Sequence, residues 1–302
     1  MKVRIGTRGS TLALAQTGLV ARALRDLGAE VDTIAIRTSG DEGTRSRNEP
    51  GDKSRFVKEI EEALLANEID LAIHSAKDVP GELPHGLAIV AVPERADARD
   101  ALCGAPNIEA LHEGATVGTS SLRRRAQLLA ARPDLRVEDL RGNVDTRLRK
   151  LAEHRYDAIV LAAAGLERLG RASEGTPIDS SLLTPAPGQG CLALEARADD
   201  GQTAELAAQL THRDSLVRLT AERALVAELD ASCRTPIAAH AYLKAGALQL
   251  DAFVGLPDGS TWIRDSLTGD PERPAELGQA VAARLRSAGA DDVLAQAELA
   301  AP

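Results

Sequence analysis

The chain has 302 residues, enough for two or three domains of roughly 100–150 residues each and for cores that need no disulfide or metal staple. Apolar residues make up 44% and charged residues 27%, the balance of an ordinary globular protein. Lys+Arg is 36 against 45 Asp+Glu, and the net charge of −9 argues against a generic nucleic-acid binder. Aromatic residues are few (Phe56, Tyr156, Tyr242, Phe253 and Trp262), so platforms for stacking bases are lacking too. The three cysteines, Cys103, Cys191 and Cys233, are odd in number and form no Cys-x-x-Cys pair. That argues against a disulfide framework and against a zinc site. The opening MKVRIGTRGS has no signal-peptide apolar region, and apolar stretches such as Ile159–Leu166 are too short to cross a bilayer. A reducing cytoplasm is the expected location.

In chain order, Lys2–Thr7 reads as a strand, and Ser10 as the N-cap of a helix with Leu12, Ala15, Leu19, Ala23 and Leu27 inward. Val31–Thr38 reads as a second strand and Ser39–Asp52 as a polar loop. A helix follows over Phe56–Ala66 with Val57, Ile60, Leu64 and Leu65 inward, then short buried strands at Asp70–Ser75 and Leu87–Val92. A second α/β unit starts near Asp97, with strands at Thr116–Gly118, Val137–Leu140 and Ala158–Leu161. Its helices are Ser121–Ala131, Val144–His154 and a short one near Leu166. Pro185–Gly190 reads as a rigid turn and hinge, and Asp214–Asp230 as a long helix. Ile237–Tyr242, Gln249–Val254 and Thr261–Asp265 suggest a hairpin sheet with Gly259 in a turn, closed by a helix over Ala275–Ser287. Alternating strands and helices predict a parallel or mixed α/β sheet, followed by a smaller α+β tail.

The charge is unevenly placed. Of the 36 cations 30 are Arg, and residues 117–150 hold nine cations against four acids, a local +5 in a remainder of −14. Such an island points to a discrete anionic ligand. Within it, Val117-Gly118-Thr119-Ser120-Ser121-Leu122-Arg123-Arg124-Arg125 reads as a strand, a hydroxyl-rich turn and a helix start. Backbone N–H groups there attract anions, and Ser or Thr can both cap and ligate. Cations in a first helical turn oppose the macrodipole, so their placement makes sense where an anion offsets the cost. With Leu122, Ala126 and Leu129 taken as the inward face, Arg123 and Arg124 are free to point elsewhere.

Arg141-Gly142-Asn143-Val144 repeats the design: Gly142 allows close approach or a positive φ, Asn143 can cap, and Arg141 and Arg147 bracket the helix start. Thr7-Arg8-Gly9-Ser10 gives the first unit a similar turn. Arg forks beyond strand ends suit several carboxylates. Ile73-His74-Ser75-Ala76-Lys77-Asp78-Val79-Pro80 ends a buried strand. Asp78 there can move a proton or stabilise a developing cation, while His74 reads as a satisfied core histidine. Cys103 and Cys191 read as space-filling thiols, whereas Cys233 sits beside Arg234 among small residues. Cys233 is therefore open to two readings, an accessible thiolate or a plain turn residue.

These segments in this order resemble the porphobilinogen deaminase (hydroxymethylbilane synthase) family. The likeness runs over IGTRGSTLALAQ, FVKEIE, IHSAKDVP, VGTSSLRRRAQL, RGNVDTRL, YDAIVLAAAGLERLG, PAPGQG, LTAERA and the Cys-x-x-Pro-Ile turn at Cys233. It implies a monomer with two α/β domains similar to type II periplasmic binding proteins and a smaller C-terminal α+β domain. The domains would be residues 1–93 with 192–211, residues 97–190, and residues 213–302. It implies a transferase of tetrapyrrole and heme biosynthesis that joins four porphobilinogen molecules head to tail with loss of ammonia. Growth would start on a dipyrromethane cofactor held by a thioether to Cys233. Asp78 would be the catalytic carboxylate. Arg8, Ser10, Lys53, Lys77, Thr119, Ser120, Ser121, Arg123, Arg124, Arg141, Asn143, Arg147, Arg168, Gln189 and Gly190 would bind cofactor or substrate. Two departures stand out: Ala231-Ser232 replaces the family's common Gly-Gly, and Gly51–Phe56 lacks an upstream Lys.

A different class of function, a non-enzymatic binder of a small anion or polycarboxylate, would use the same Arg residues with Cys233 as a plain turn residue. A phosphate-handling enzyme is disfavoured, since no Walker or GxGxxG pattern is present.

Overall fold

A computed structural model of the chain describes residues 1–38, 57–230 and 235–300. The expected loop at 39–52, Lys53 and the turn carrying Cys233 lie outside these residues. The described chain divides into two compact units, residues 1–96 with 190–216 and residues 97–189 with 217–302.

In the first unit, β1 (Lys2–Arg8), α1 (Thr11–Asp26), β2 (Glu30–Ile36), α2 (Lys58–Leu65), β3 (Leu71–Ser75) and β4 (Leu87–Ala91) run in succession. The second unit follows with β5 (Asp100–Cys103), β6 (Thr116–Gly118), α3 (Leu122–Ala131), β7 (Arg136–Glu138) and α4 (Val144–Ala152). β8 (Ala158–Ala162), α5 (Ala163–Arg168) and β9 (Thr176–Pro177) complete its first sheet. The chain then returns to the first unit as β10 (Leu192–Arg197) and α6 (Gly201–Ala208), and leaves it through α7 (Arg213–Glu228). β11 (Ile237–Lys244), β12 (Ala247–Gly255), β13 (Trp262–Gly269), α8 (Pro274–Ser287) and α9 (Ala290–Ala300) end the chain.

The first sheet has the order β2-β1-β3-β10-β4, with β10 antiparallel to both neighbours. The second has the order β7-β6-β8-β5-β9, with β5 antiparallel to both neighbours. The two plans are the same: a parallel trio, then one reversed strand. In each sheet the reversed strand is the one that brings the chain in from the other unit. The mixed α/β class expected from the sequence is what forms, and the third sheet, β11-β12-β13, is a plain antiparallel meander.

Each α/β sheet is covered on both faces, so its central strands are buried at successive residues rather than at alternate ones. In β8, Ala158 and Val160 pack with Leu128 of α3, while Ile159 and Leu161 pack with Leu148 and Leu166 of α4 and α5. In the first sheet Val20 and Leu24 of α1 cover Val3, Ile5 and Ile73, and Ile60 and Leu64 of α2 cover the opposite face. The expected face of α1 is wrong. Gln16, Thr17, Val20, Ala21 and Leu24 are buried, whereas Leu19 and Leu27 are 49% and 41% exposed. Two stripes at helical spacing share this sequence. The sheet took the one whose polar member, Gln16, finds a partner in Ser75 (2.9 Å). Leu65 is likewise exposed rather than inward, because Ala63 and Leu64 already fill the α2 contact.

Inside the second unit, α7 carries a buried carboxylate that sequence reading did not single out. Glu222 is fully buried and accepts from the N–H of Gly188 and the N–H of Ala241, both at 2.7 Å. It joins the Pro185–Gly190 turn to β11. Glu222→Ala should lower the unfolding free energy by about 2–5 kcal/mol, because two buried donors lose a charged acceptor. Glu222→Gln, which keeps one acceptor oxygen, should cost less; urea denaturation followed by circular dichroism checks both.

Candidate functional site

In the first unit β3 runs out into a single 3-10 turn over Ala76–Asp78, which sets Lys77 and Asp78 at the strand's end. Asp78 is partly exposed and lines a small recess with Arg8, Ser10, Gln16, His74 and Ser75. Ser10 does cap α1, accepting from the N–H of Ala13 at 3.3 Å, so its own O–H is left to donate. Gln16 and Ser75 hydrogen-bond at the back of the recess. The recess thus offers one carboxylate acceptor, one guanidinium and several hydroxyl or amide donors. His74 is 5% exposed and bonded to Glu195 (3.0 Å), a satisfied core histidine as expected.

In the second unit the turn after β6 is built by its own hydroxyls. Thr119 Oγ1 accepts from the N–H of Ser121, Ser120 Oγ donates to the carbonyl of Leu140, and Ser121 caps α3 by accepting from Arg124 N–H. Thr119 and Ser121 act here as acceptors, so their O–H groups are still donors for an anion.

Arg123 and Arg124 do not point outward. They are 5% and 6% exposed, because the buried face of α3 is Arg123, Arg124, Ala126, Gln127 and Leu128 rather than Leu122, Ala126 and Leu129. Both guanidiniums converge on Asp100, which is fully buried at the start of β5. Arg123 Nη1 reaches Asp100 Oδ2 at 2.7 Å; Arg124 Nε and Nη2 reach Oδ1 at 3.0 and 2.7 Å. The carbonyls of Thr184 and Val160 accept one further bond each. The anion that the Arg-rich helix start calls for is therefore supplied first by the chain itself. Burial alone would raise the Asp100 carboxyl, but the charges of Arg123 and Arg124 and their hydrogen bonds hold it well below the usual carboxylate range. Burial pulls the Arg123 guanidinium down, against the attraction of Asp100.

Gln189 shares this hub rather than an open surface. It is 1% exposed, and its side-chain amide donates to the carbonyl of Ala98 and to Asp100 Oδ1 at 2.7 and 2.9 Å. Gly190 follows in the first unit with φ +87°, where its carbonyl accepts from Ala96.

The turn before α4 behaves differently. Gly142 meets both expectations: its φ is +115°, and a Cβ there would lie 2.9 Å from Thr146. Asn143 occupies the N-cap position, but its side chain makes no capping bond. Instead Arg147 Nε donates to the carbonyl of Gly142 (2.6 Å) and Lys150 to that of Arg141 (3.1 Å). The Arg141 side chain is 83% exposed beside Asp139 (3.2 Å). Arg168 is partly exposed in the last turn of α5.

Cys103 and Cys191 are buried, and burial pushes the Cys103 thiol up to about 11, which keeps it protonated at neutral pH. Lys53 and Cys233 lie outside the described residues. Among the described residues no group of three His, Cys, Asp or Glu side chains could hold a metal ion, and no helix is long and apolar enough to cross a membrane.

Sequence reading missed Asp100, Gln16 and Ser75. The signals were present: Gln16 is a polar residue on a buried stripe, and Asp100 opens the short apolar run Asp100–Cys103. Chemically, the first unit presents a carboxylate able to accept N–H donors, with a cation nearby. The second presents hydroxyls and cations at two helix starts, suited to carboxylates.

Residues 3–205 match the family model "Porphobilinogen deaminase, dipyromethane cofactor binding domain", and residues 216–287 match "Porphobilinogen deaminase, C-terminal domain". The chain is 48% identical to the porphobilinogen deaminase of Deinococcus radiodurans, over 97% of this chain and 97% of that protein. It is 48% identical to that of Thermus thermophilus, over 97% of this chain and 98% of that protein. Among solved structures, the methionine-binding protein MetQ overlaps 69% of this chain and 89% of its own, at 12% identity and a TM-score of 0.45.

Asp100→Asn should cost about 3–5 kcal/mol of stability, because two buried guanidiniums lose their counter-charge. The Asp100 carboxyl is held below its ordinary 3.8, so its contribution is complete above that pH and is lost as the pH falls below it. Unfolding free energies measured on acidification should show that loss in the wild type and not in Asp100→Asn.

Proposed function

The chain belongs to the porphobilinogen deaminase family, and from that premise we propose that it joins four porphobilinogen molecules head to tail, releasing one ammonia at each join, and that one water then cleaves the finished chain off as linear hydroxymethylbilane. This makes it a transferase of tetrapyrrole and heme biosynthesis. The observation that carries the reading is Asp78, held by the turn after β3 in a recess with Arg8 and Ser10.

The donor set fits the dipyrromethane cofactor of the family. A dipyrromethane presents pyrrole N–H donors and carboxylates; Asp78 accepts the first, while guanidiniums and hydroxyls take the second. When bound, it supplies the free pyrrole α-carbon on which the product chain grows. Cys233 is the proposed attachment residue, and Lys53 a further contact.

At each join the C–N bond of the substrate's aminomethyl group breaks, and its electron pair leaves with ammonia. Positive charge then develops on the substrate pyrrole. The Asp78 carboxylate is placed to accept the pyrrole N–H and to stabilise that charge. The new C–C bond forms with loss of the α-carbon proton, so one proton is released for each ammonia. Arg8, Ser10 and Lys77 in the first unit hold substrate carboxylates. Thr119, Ser120, Ser121, Arg141, Asn143, Arg147 and Arg168 in the second do the same. Arg123, Arg124 and Gln189 contribute mainly through the buried hub around Asp100, which fixes the turn and leaves it cationic; Gly190 shapes the chain's return to the first unit.

The same reading expects a cytoplasmic monomer without nucleic-acid or membrane partners, in keeping with its net charge of −9. It divides the chain into residues 1–93 with 192–211, 97–190 and 213–302.

Asp78→Ala should lower turnover by about 10²–10⁴-fold while leaving the circular dichroism spectrum unchanged. Near-normal turnover by that variant would remove Asp78 from the reaction. Intact-mass spectrometry of the wild type should show an excess equal to two linked pyrroles, and Cys233→Ser should lack it. A normal adduct on Cys233→Ser would contradict the attachment site.

A further inference from the structure

Behind the Asp78 recess lies a group of ionisable side chains that the reaction above does not use. His74 on β3 and Glu195 on β10 are diagonal neighbours on one face of the antiparallel pair, since His74 lies opposite Ala193 and Glu195 opposite Ala72; Nε2 and Oε2 are 3.0 Å apart and the side chains 3% and 1% exposed. Glu61, on α2 against the same sheet, is 6% exposed. Oε1 of Glu61 and Oε1 of Glu195 are both buried, and neither has a hydrogen-bond partner among the described residues.

Two ionised carboxylates at such burial, each with an orphan oxygen, would be costly. His74 can offset only one of them. A single proton on Glu61 removes the conflict: the neutral acid is a donor, and the unpaired Glu195 oxygen is the acceptor it lacks. Among the described residues, the charged groups on the surrounding elements do not supply an alternative. Arg197 of β10 is committed to the carbonyls of Leu64 and Ile69 and to Asp200. Arg4 of β1 is committed to Asp70, and Arg8 of β1 lines the Asp78 recess. β4 carries no ionisable side chain. On α2 itself, Lys58 pairs with Glu62 in solvent, and Glu59 is a further, partly buried carboxylate.

We propose that Glu61 is kept as the neutral acid, donates its proton to Glu195, and thereby locks the Glu195–His74 pair that fixes the end of β3 under Asp78. Glu61 is thus a positioning residue. Its carboxyl is pushed up to about 7, by burial first and by the charge of Glu195 second, with His74 opposing. The role in turnover rests on the function proposed above; the protonation does not.

Infrared spectra of the full chain carrying ¹³C-labelled glutamate should show a carboxylic-acid carbonyl band at about pH 6 that fades as the pH passes about 7. Glu61→Gln, which keeps a neutral donor, should lack the band. A folded state that holds the extra proton between the unfolded value near 4.5 and about 7 loses stability as the pH rises through that window. Wild type should therefore lose stability there relative to Glu61→Gln.

From about pH 6 to about pH 8 the wild-type kcat should fall about tenfold with KM held, following the loss of the neutral form. Glu61→Gln should be rescued from that fall. An acid band missing from the wild type, or retained in Glu61→Gln, would overturn the protonation. Parallel kcat profiles in the two proteins, with the band present, would overturn the positioning role while leaving the protonation intact. An inactive wild type with the band present would instead count against the proposed function.

Discussion

One buried carboxylate governs where the second unit puts its cations. Asp100 stands at the point where the chain enters that unit. Arg123 and Arg124 stand at the start of α3, and Gln189 stands where the chain leaves. Two guanidiniums against one carboxylate leave the buried cluster with an excess of one positive charge. Backbone carbonyls of Thr184 and Val160 offset part of it. The remainder adds to the positive end of the α3 macrodipole, so the Thr119–Ser121 turn is electropositive before any exposed arginine is counted. The basic island thus has two layers: a buried one that fixes the turn after β6, and an exposed one around Arg141, whose side chain lies beside Asp139.

The three turn-to-helix junctions that the sequence marks as alike are stabilised in different ways. α1 and α3 use serine caps. α4 has an asparagine in the cap position that does not cap, and its junction is held instead by cations reaching back to carbonyls. Similar motifs thus conceal different local physics, and substitutions at Ser10, Ser121 and Asn143 should not be read as equivalent.

Much of the fold was legible because the strands are short apolar runs bounded by turn residues, and each has few ways to be buried. Where periodicity allowed two answers, tertiary contacts chose. On α1 the Gln16–Ser75 bond picks out the stripe one position from the one the leucines suggest. On α3 the charge of Asp100 draws arginines inward, against the ordinary preference of that residue for water. β10 was assigned to the first domain only through resemblance, since its apolar run Leu192–Ala196 carries no mark of direction or partner. Asp78 stood out because its strand ends on a proline-bounded turn. Glu61, Glu195 and Asp100 did not, because what sets them apart is burial, which no spacing encodes.

The reversed strands carry a consequence for how the protein is made. Among the described strands β4 pairs with β10 alone, yet β4 ends at Ala91 and β10 begins at Leu192. The five-stranded sheet of the second unit lies wholly within residues 100–177. As the nascent chain leaves the ribosome, the later sheet can close while the earlier one still has an open edge on β3 and a strand with no partner. The vulnerable species is therefore the chain between those two lengths, and a ribosome that stalls there leaves an aggregation-prone fragment rather than a folded first domain.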